Sequence, residues 1–213
     1  MRAWAVVVAG GSGARFGGAK QFSVLGGRRV VDWAVGAARA ACEGVVLVLP
    51  AEQVARVALD VQPDAVVAGG ATRSASVRAG LAQVPAGVEA VIVHDAARPF
   101  AHPGLFVAVL EALGGGADGA VVAVPVADTL KRVGGDGTVQ ETVDRAGLWA
   151  VQTPQAFRLD VLRAAHAGEP EATDDAGLVE AAGGRVVVVA GDRRNLKVTD
   201  PADLAILEAL VGR

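Results

Sequence analysis

The chain has 213 residues, of which 52% are hydrophobic and 20% are charged, and its formal net charge is −3. This composition supports a sizeable core. No apolar run reaches the ~18–20 residues that a membrane span requires. The chain is slightly acidic, so its net charge does not favour binding to nucleic acid. The single cysteine, Cys42, excludes a disulfide framework and a Cys-rich zinc site, so we expect a cytoplasmic protein with no membrane or nucleic-acid partner and no metal held by the chain itself.

Strand-like and helix-like stretches alternate along the chain. Nearly continuous apolar runs, typical of strands buried on both faces, begin at Ala3, Val45, Ala65, Ala90, Ala120 and Arg185. Apolar residues at three- and four-residue spacing predict helices over 28–42, 73–84, 103–114 and 201–211, the last with Asp200 as N-cap and Pro201 in its first turn. The alternation predicts one α/β domain over residues 1–213: a Rossmann-like three-layer α/β/α sandwich with a mainly parallel sheet.

One segment, residues 127–149, interrupts this alternation. Two short β-prone pieces, "TLKRV" and "TVQETV", flank a Gly-Gly-Asp-Gly turn with Asp136-Gly137 as the expected bend. The segment is polar and lies between core strands, so we expect a protruding β-hairpin arm. An isolated hairpin is marginally stable in water, and a second copy of the chain is the expected support. The sequence therefore predicts a homodimer.

The first strand-like run is followed by the Gly-rich, basic segment "AGGSGARFGGAK". Glycines let the backbone approach a ligand closely, and successive N–H groups can form a nest for an anion. The segment lacks the lysine-hydroxyl pair that ends a P-loop, and it does not match a dinucleotide fingerprint. A nucleotidyltransferase loop, G-x-G-x-R followed by a lysine, fits as written, and a Gly-rich turn with two solvated cations is the other interpretation.

Five stretches together narrow the choice: "AGGSGARFGGAKQF", "GGATRSASV", "VHDAARPF", "TVDRAGLWAVQTPQAF" and "NLKVTDPADL". In this order they resemble the 2-C-methyl-D-erythritol 4-phosphate cytidylyltransferases of the non-mevalonate isoprenoid pathway. Two features depart from the family pattern: the loop between Arg15 and Lys20 is short, and Ala19 replaces a common proline. The resemblance implies transfer of CMP from CTP to methylerythritol phosphate by in-line attack on the α-phosphorus, with Mg²⁺ or another divalent cation bound mainly through the CTP phosphates.

The resemblance also implies roles for individual residues. Arg15 and Lys20 would contact the triphosphate and stabilise the transition state, and Lys197 and Arg145 would hold the acceptor phosphate. Arg145 would reach the neighbouring subunit's site through the arm. The other positions implied to contact substrates are Ala9, Gly10, Gly11, Gly13, Gly69, Gly70, Arg73, Ser76, Asp95, Ala96, Arg98, Thr129, Thr153 and Thr173.

Several of these positions have a structural alternative. Arg73 binds phosphate or pairs across the surface, and Asp95 meets ribose or substrate hydroxyls or caps a helix or turn. Arg98 contacts substrate or ties the arm to the body. Thr173 stands before a helix, where capping competes with binding.

Other functions remain as rivals. A ribitol 5-phosphate cytidylyltransferase would share the CTP site, but "DTLKR" with "TVDRAGLW" in the arm favours methylerythritol phosphate. A related glycosyltransferase would carry an Asp-x-Asp motif, which the sequence lacks. A catalytically silent nucleotide-binding protein would not need to keep Arg15, Lys20, Arg145 and Lys197. We expect no fused second enzyme, because the sequence covers one α/β domain.

Overall fold

The computed structural model describes residues 1–11 and 16–211. The strands are β1 (Ala3–Val8), β2 (Val24–Leu25), β3 (Arg28–Arg29), β4 (Gly44–Leu49), β5 (Ala65–Ala68), β6 (Ala90–Asp95), β7 (Gly119–Pro125), β8 (Leu130–Val133), β9 (Val139–Val143), β10 (Trp149–Arg158) and β11 (Val186–Ala190). The helices are α1 (Val30–Arg39), α2 (Ala51–Val54), α3 (Arg73–Leu81), α4 (Pro103–Gly114), α5 (Leu159–Ala165), α6 (Asp175–Ala181) and α7 (Pro201–Glu208), and a 3₁₀ turn covers Lys20–Phe22.

Seven strands form the main sheet, in the order β11-β7-β10-β6-β1-β4-β5. Six of them run parallel, and β10 runs antiparallel to both of its neighbours, β6 and β7. The mainly parallel sheet that the sequence predicts is therefore confirmed. The strand order reverses at β1, which pairs with β4 on one side and β6 on the other. The crevice beyond the carboxyl ends of such strands is where open α/β sheets bind ligands.

Helices cover both faces of the sheet, which gives the three predicted layers. Because side chains alternate along a strand, Ala5 and Val7 of β1 pack in the apolar cluster under α1 and α4. Val6 faces the opposite cluster, which includes residues of α3, α5 and α6. A third, smaller cluster joins Leu25 of β2 to Leu207 of α7. No helix among the described residues is long and apolar enough to cross a membrane.

The strand β10 is absent from the sequence prediction, and the structure corrects it. Its sequence, "WAVQTPQAFR", mixes glutamines, a threonine and a proline into an apolar stretch, and an internal proline argues against a central strand. The pairing with β7 shifts register between Val151 and Gln155. Pro154 lies inside this irregularity, where its missing N–H leaves no ladder bond unmade. A bulge thus lets a polar segment run through the middle of the sheet.

The hairpin in residues 127–149 is confirmed, with β8 and β9 paired as a separate two-stranded sheet. Gly137 has a positive φ of 82°, which suits the predicted bend, and Asp136 accepts a bond from the Thr138 N–H at 3.0 Å. Val133, Val139 and Trp149 each expose more than two fifths of their surface. The arm therefore presents apolar side chains that this single chain does not cover.

The four predicted helices are confirmed, and three of them are shorter than the sequence pattern suggests. Asp200 caps α7 by accepting from Ala202 N–H and Asp203 N–H, and Asp203 completes a reciprocal capping box. Short helices α2, α5 and α6 are additional to the prediction. Each has at most seven residues, too few for a helical period to stand out in the sequence.

Candidate active site

A cavity of about 500 Å³ opens beyond the carboxyl ends of β1 and β6. This is the point where the strand order reverses, and the volume suits a nucleotide-sized ligand. Val8 and Asp95 are register partners at the ends of these two strands. The described residues that line the cavity come from five parts of the chain: 8–11, 20–21, 70–73 with 76, 95–97, and 197 with 199.

The charged side chains that line the cavity are mostly cationic. The cations Lys20, Arg73 and Lys197 come from three separate parts of the chain, and Asp95 is the one acid among the described lining residues. Three cations against one carboxylate attract an anionic ligand. Of the two cations that the Gly-rich segment carries, Lys20 lines this cavity, and Arg15 lies outside the described residues.

Asp95 is the anionic centre of this site. One of its oxygens is 2.6 Å from Lys197 Nζ and the other is 3.5 Å from Arg73 Nε. Burial by itself would raise the pKa of the Asp95 carboxyl, but the attraction of Lys197 and then of Arg73 outweighs it and holds that pKa well below its usual range. Asp95 is thus ionised, and its ion pairs hold the charged groups of Lys197 and Arg73 in place.

Arg73 also pairs with a second carboxylate, that of Asp175. Its Nη1 lies 2.7 Å from Asp175 Oδ2, and the other oxygen of Asp175 is 3.0 Å from His166 Nε2. Asp175 and His166 are both buried. The structure pairs Arg73 with Asp95 and with the buried Asp175, and Arg73 also lines the cavity.

Lys20 begins the 3₁₀ turn and also lines the cavity. Its Nζ donates to the Val198 carbonyl at 2.6 Å, so the opening segment is tied to the loop that carries Lys197. Ala9, Gly10 and Gly11 lie in the same wall. The predicted ligand contacts Gly13 and Arg15 lie outside the described residues.

Glycines allow two loops to pack tightly on Ser76 of α3. A Cβ at Gly69 would lie 2.8 Å from Ser76 Oγ, one at Gly10 would lie 3.2 Å from the same atom, and one at Gly70 would overlap Ala75. Ser76 is almost buried and donates to the Thr72 carbonyl at 2.9 Å. Gly70 and Ser76 line the cavity, and Gly69 packs directly behind them.

Thr153 lies in the β10 bulge, behind the end of β6 rather than in the cavity lining. Its Oγ1 accepts from the Asp95 N–H at 3.0 Å and lies 3.0 Å from His94 Nδ1. Burial lowers the pKa of His94 to about 4, against the attraction of Asp95. The imidazole is therefore neutral at pH 7, and its Nδ1 shares a hydrogen bond with the threonine hydroxyl.

Some of the predicted residues do not meet in the cavity of a single chain. Ala96 lines it, but Arg98 turns away and donates to Asn195 O at 2.8 Å and to Val151 O at 3.4 Å. Arg98 thus ties β10, where the arm rejoins the body, to the loop before Lys197. Three exposed positions lie outside the lining: Thr129 and Arg145 on the arm, and Thr173. The cap of α6 is Asp174, not Thr173.

Sequence reasoning missed several residues of the site. Thr72 lines the cavity and caps α3 by accepting from the Ala75 N–H at 3.1 Å, and its place before a helix was a usable signal. Gln21 and Thr199 also line the cavity. Asp175 supports Arg73 across 102 positions of sequence. A contact over that separation leaves no local pattern to find.

The described residues contain no cluster of three or more His, Cys, Asp and Glu side chains that would hold a metal ion. Asp95 is already bonded to two cationic side chains. A divalent cation in this cavity would therefore take most of its ligands from the oxygens of a bound phosphate compound, since hard cations prefer oxygen ligands.

Comparison with known proteins gives a consistent family. The family model "IspD: 2-C-methyl-D-erythritol 4-phosphate cytidylyltransferase" matches residues 3–213. A bifunctional IspD/IspF enzyme of Caulobacter vibrioides is 48% identical over 97% of this chain, which spans only 56% of that protein. The 2-C-methyl-D-erythritol 4-phosphate cytidylyltransferase of Frankia casuarinae is 46% identical, over 100% of this chain and 82% of the relative. The crystal structure of the Thermus thermophilus cytidylyltransferase has a TM-score of 0.82 and 38% identity, covering 99% and 98% of the two chains.

Proposed function

The chain belongs to the family of 2-C-methyl-D-erythritol 4-phosphate cytidylyltransferases, and we propose that it transfers CMP from CTP to 2-C-methyl-D-erythritol 4-phosphate. An oxygen of the acceptor phosphate attacks the α-phosphorus of CTP, the bond from that phosphorus to the β-phosphate oxygen breaks, and pyrophosphate leaves. The products are 4-diphosphocytidyl-2-C-methyl-D-erythritol and pyrophosphate. The observation that carries the proposal is the convergence of Lys20, Arg73 and Lys197 on one cavity around Asp95.

This arrangement suits a reaction that needs charge neutralisation and little acid–base help. The second pKa of a phosphate monoester is about 6, so the nucleophile already carries its charge near neutral pH. Positioning and stabilisation of developing negative charge then supply most of the catalysis. Lys20 would contact the triphosphate, together with Arg15, and Lys197 would bind the acceptor phosphate in exchange for part of its contact with Asp95.

Other residues would select the nucleotide. Gly69 packs closely on Ser76, and Gly70 packs on Ala75; the backbone N–H and C=O groups of this segment would recognise cytosine. Mg²⁺, bound mainly by CTP phosphate oxygens, would supply further charge neutralisation at the triphosphate. We also propose that the reaction takes place in the cytoplasm, because CTP is a highly charged nucleotide of that compartment.

The arm would complete the site from a second subunit. Its exposed apolar residues Val133, Val139 and Trp149 are uncovered in one chain, and a two-stranded hairpin needs support to be stable. We therefore propose a homodimer in which Arg145 of one chain reaches the acceptor phosphate in the partner's cavity, with Thr129 beside it. Thr173, in the exposed segment just before α6, would complete the acceptor pocket.

The test is pyrophosphate release from CTP and Mg²⁺, with methylerythritol phosphate and ribitol 5-phosphate offered in parallel reactions. Release with methylerythritol phosphate alone supports the proposal. Release with ribitol 5-phosphate alone would retain the CTP site and overturn the acceptor. Bound CTP without release in either reaction would favour a nucleotide-binding protein without catalytic activity.

A further inference from the structure

Three buried polar side chains connect the β10 bulge to the loops of the site. Asn195 is fully buried, and its Nδ2 donates to Gln152 Oε1 at 3.2 Å and to Thr153 O at 2.9 Å. Gln152 in turn donates from Nε2 to the Asp192 carbonyl at 2.9 Å. We call Gln152, Thr153 and Asn195 the polar bracket. It joins an antiparallel strand in the sheet to the loop between β11 and α7.

One end of the polar bracket fixes Asp95. Thr153 accepts from the Asp95 N–H through its side chain, and its carbonyl accepts from Asn195. The Asp95 backbone and the Asn195 side chain are thus bonded to the same residue. Any shift of Asn195 relative to the sheet moves it relative to Asp95 as well.

The other end of the polar bracket fixes Lys197. Asn195 lies two positions before it, accepts from Arg98 through its carbonyl at 2.8 Å, and closes a turn onto the Asp192 carbonyl at 3.0 Å. Val198, the next residue, is buried and donates to the Ala97 carbonyl at 2.8 Å. The backbone is therefore anchored on both sides of Lys197, whose ammonium group reaches Asp95 at 2.6 Å.

The NH₂ group of the Asn195 side chain connects the loop between β11 and α7 to β10. Asn195 Oδ1 is buried without a hydrogen-bond partner among the described residues, whereas Nδ2 bonds two acceptors that belong to β10. Gly191 leaves room for this arrangement, because a Cβ there would lie 2.7 Å from Gln152 Oε1. A carboxylate at position 195 would face two oxygens and lose both bonds.

We propose that Asn195 is a positioning residue for the reaction, acting through Lys197. The inference rests on the proposed function for its kinetic consequence, but its structural consequence stands apart. Through the polar bracket, Asn195 sets the distance between the Lys197 ammonium and the Asp95 carboxylate. Asn195 is not among the residues that line the cavity, and through Lys197 it determines where the acceptor phosphate is held.

The first test is a double-mutant cycle with Asn195→Asp and Lys197→Ala. In the parent background we expect Asn195→Asp to lower kcat/KM for methylerythritol phosphate by about 10- to 100-fold, because small misplacements of a positioning group cost this much, while the KM for CTP stays unchanged. In the Lys197→Ala background the same substitution should change kcat/KM by less than about twofold, since the group it positions is gone. Equal losses in both backgrounds would overturn the proposal.

Controls separate positioning from loss of stability. Asp32→Ala removes another fully buried polar group, whose bonds run to Arg29 and the Asp60 N–H, and it should lower the melting temperature without changing kcat/KM. Gln152→Ala removes one of the two acceptors of Asn195 Nδ2. If Asn195→Asp fails to fold, Gln152→Ala takes its place in the cycle and should show the same loss of kcat/KM. Normal kinetics in Gln152→Ala would then contradict the proposal.

A crystal structure of Asn195→Asp, or of Gln152→Ala if the first variant fails to fold, tests the geometry without relying on turnover. We expect the loop before α7 to shift and the Lys197–Asp95 ion pair to be lost. An intact ion pair and an unmoved loop would overturn the inference. If the pair is lost while the parent protein releases no pyrophosphate with either acceptor, the positioning role holds and the proposed function fails.

Discussion

At the scale of single residues, Asp95 organises the cavity by bonding both Lys197 and Arg73. Sequence reasoning could identify Asp95, Lys20 and Lys197, because each belongs to a short motif. It could not decide what Asp95 does, because its partner Lys197 is 102 positions away. The identities of the charged residues were therefore predictable, and their pairing was not.

Lys20→Ala should lower kcat by about 10²- to 10³-fold, the usual cost of removing one preorganised group that stabilises transition-state charge. A steady-state pyrophosphate assay measures the effect. Arg2→Ala is the matched control, because Arg2 is a surface cation paired with Glu43 at 3.0 Å, and it should leave kcat unchanged. A kcat within about twofold of the parent in Lys20→Ala would refute the role of Lys20, since a positioned charge-stabilising group is worth far more than that.

His94 should make the fold sensitive to mild acid. Its pKa is about 4 in the folded protein and about 6.5 in an unfolded chain, so between these values the unfolded state binds more protons. Stability is then lost as the pH falls through this window, by about 3 kcal/mol from pH 7 to pH 4. Chemical denaturation at several pH values measures the free energy of unfolding, which should change less with pH in His94→Gln than in the parent protein. Identical slopes for parent and variant would contradict the prediction.

At the scale of elements, the parallel strands were predictable because burial on both faces requires nearly continuous apolar runs. The long helices were predictable because burial on one face imposes a spacing of three and four residues. The strand β10 was not predictable in this way. Its bulge interrupts the regular strand pairing at Gln152 and Thr153, and these polar side chains bond to the loops of the site instead. The residues that break the strand pattern are those that hold Asp95 and Asn195. A departure from periodicity here indicates a part of the sheet that serves the site.

Two helical glycines should respond oppositely to alanine. Gly80 of α3 packs on β1, where a Cβ would overlap Val6 Cγ1, so Gly80→Ala should destabilise by about 1–3 kcal/mol through overpacking. Gly114 ends α4, and among the described residues no atom outside its own helical turn lies within 4 Å of where its Cβ would be. Gly114→Ala should therefore stabilise by about 0.5 kcal/mol through helix propensity. Urea denaturation measures both, and destabilisation by Gly114→Ala or a neutral Gly80→Ala would contradict this packing.

At the scale of the whole molecule, one chain presents a cationic cavity and an uncovered arm that carries a further cation, Arg145. The sequence predicted the hairpin itself, since its turn chemistry is local. Where the arm docks depends on a second surface, which no local pattern reports. The dimer with shared sites is therefore a proposal that needs a test in solution.

Subunit complementation tests this sharing. Lys20→Ala and Arg145→Ala homodimers should each be nearly inactive, but their heterodimer has one site with both residues intact if Arg145 acts in the partner's cavity. Refolding an equal mixture should restore about a quarter of the parent activity, because half of the dimers are mixed and each has one working site of two. A mixture no more active than its components would show that Arg145 does not act across the interface.

In the proposed reaction, an oxygen of the acceptor phosphate attacks the α-phosphorus of CTP. The most direct measurement uses methylerythritol phosphate with heavy oxygen in its phosphate group, followed by phosphorus NMR of the products. The account predicts that the diphosphate product keeps every label, including the bridging oxygen, and that pyrophosphate carries none. An unlabelled bridge, or heavy oxygen in the released pyrophosphate, would contradict it.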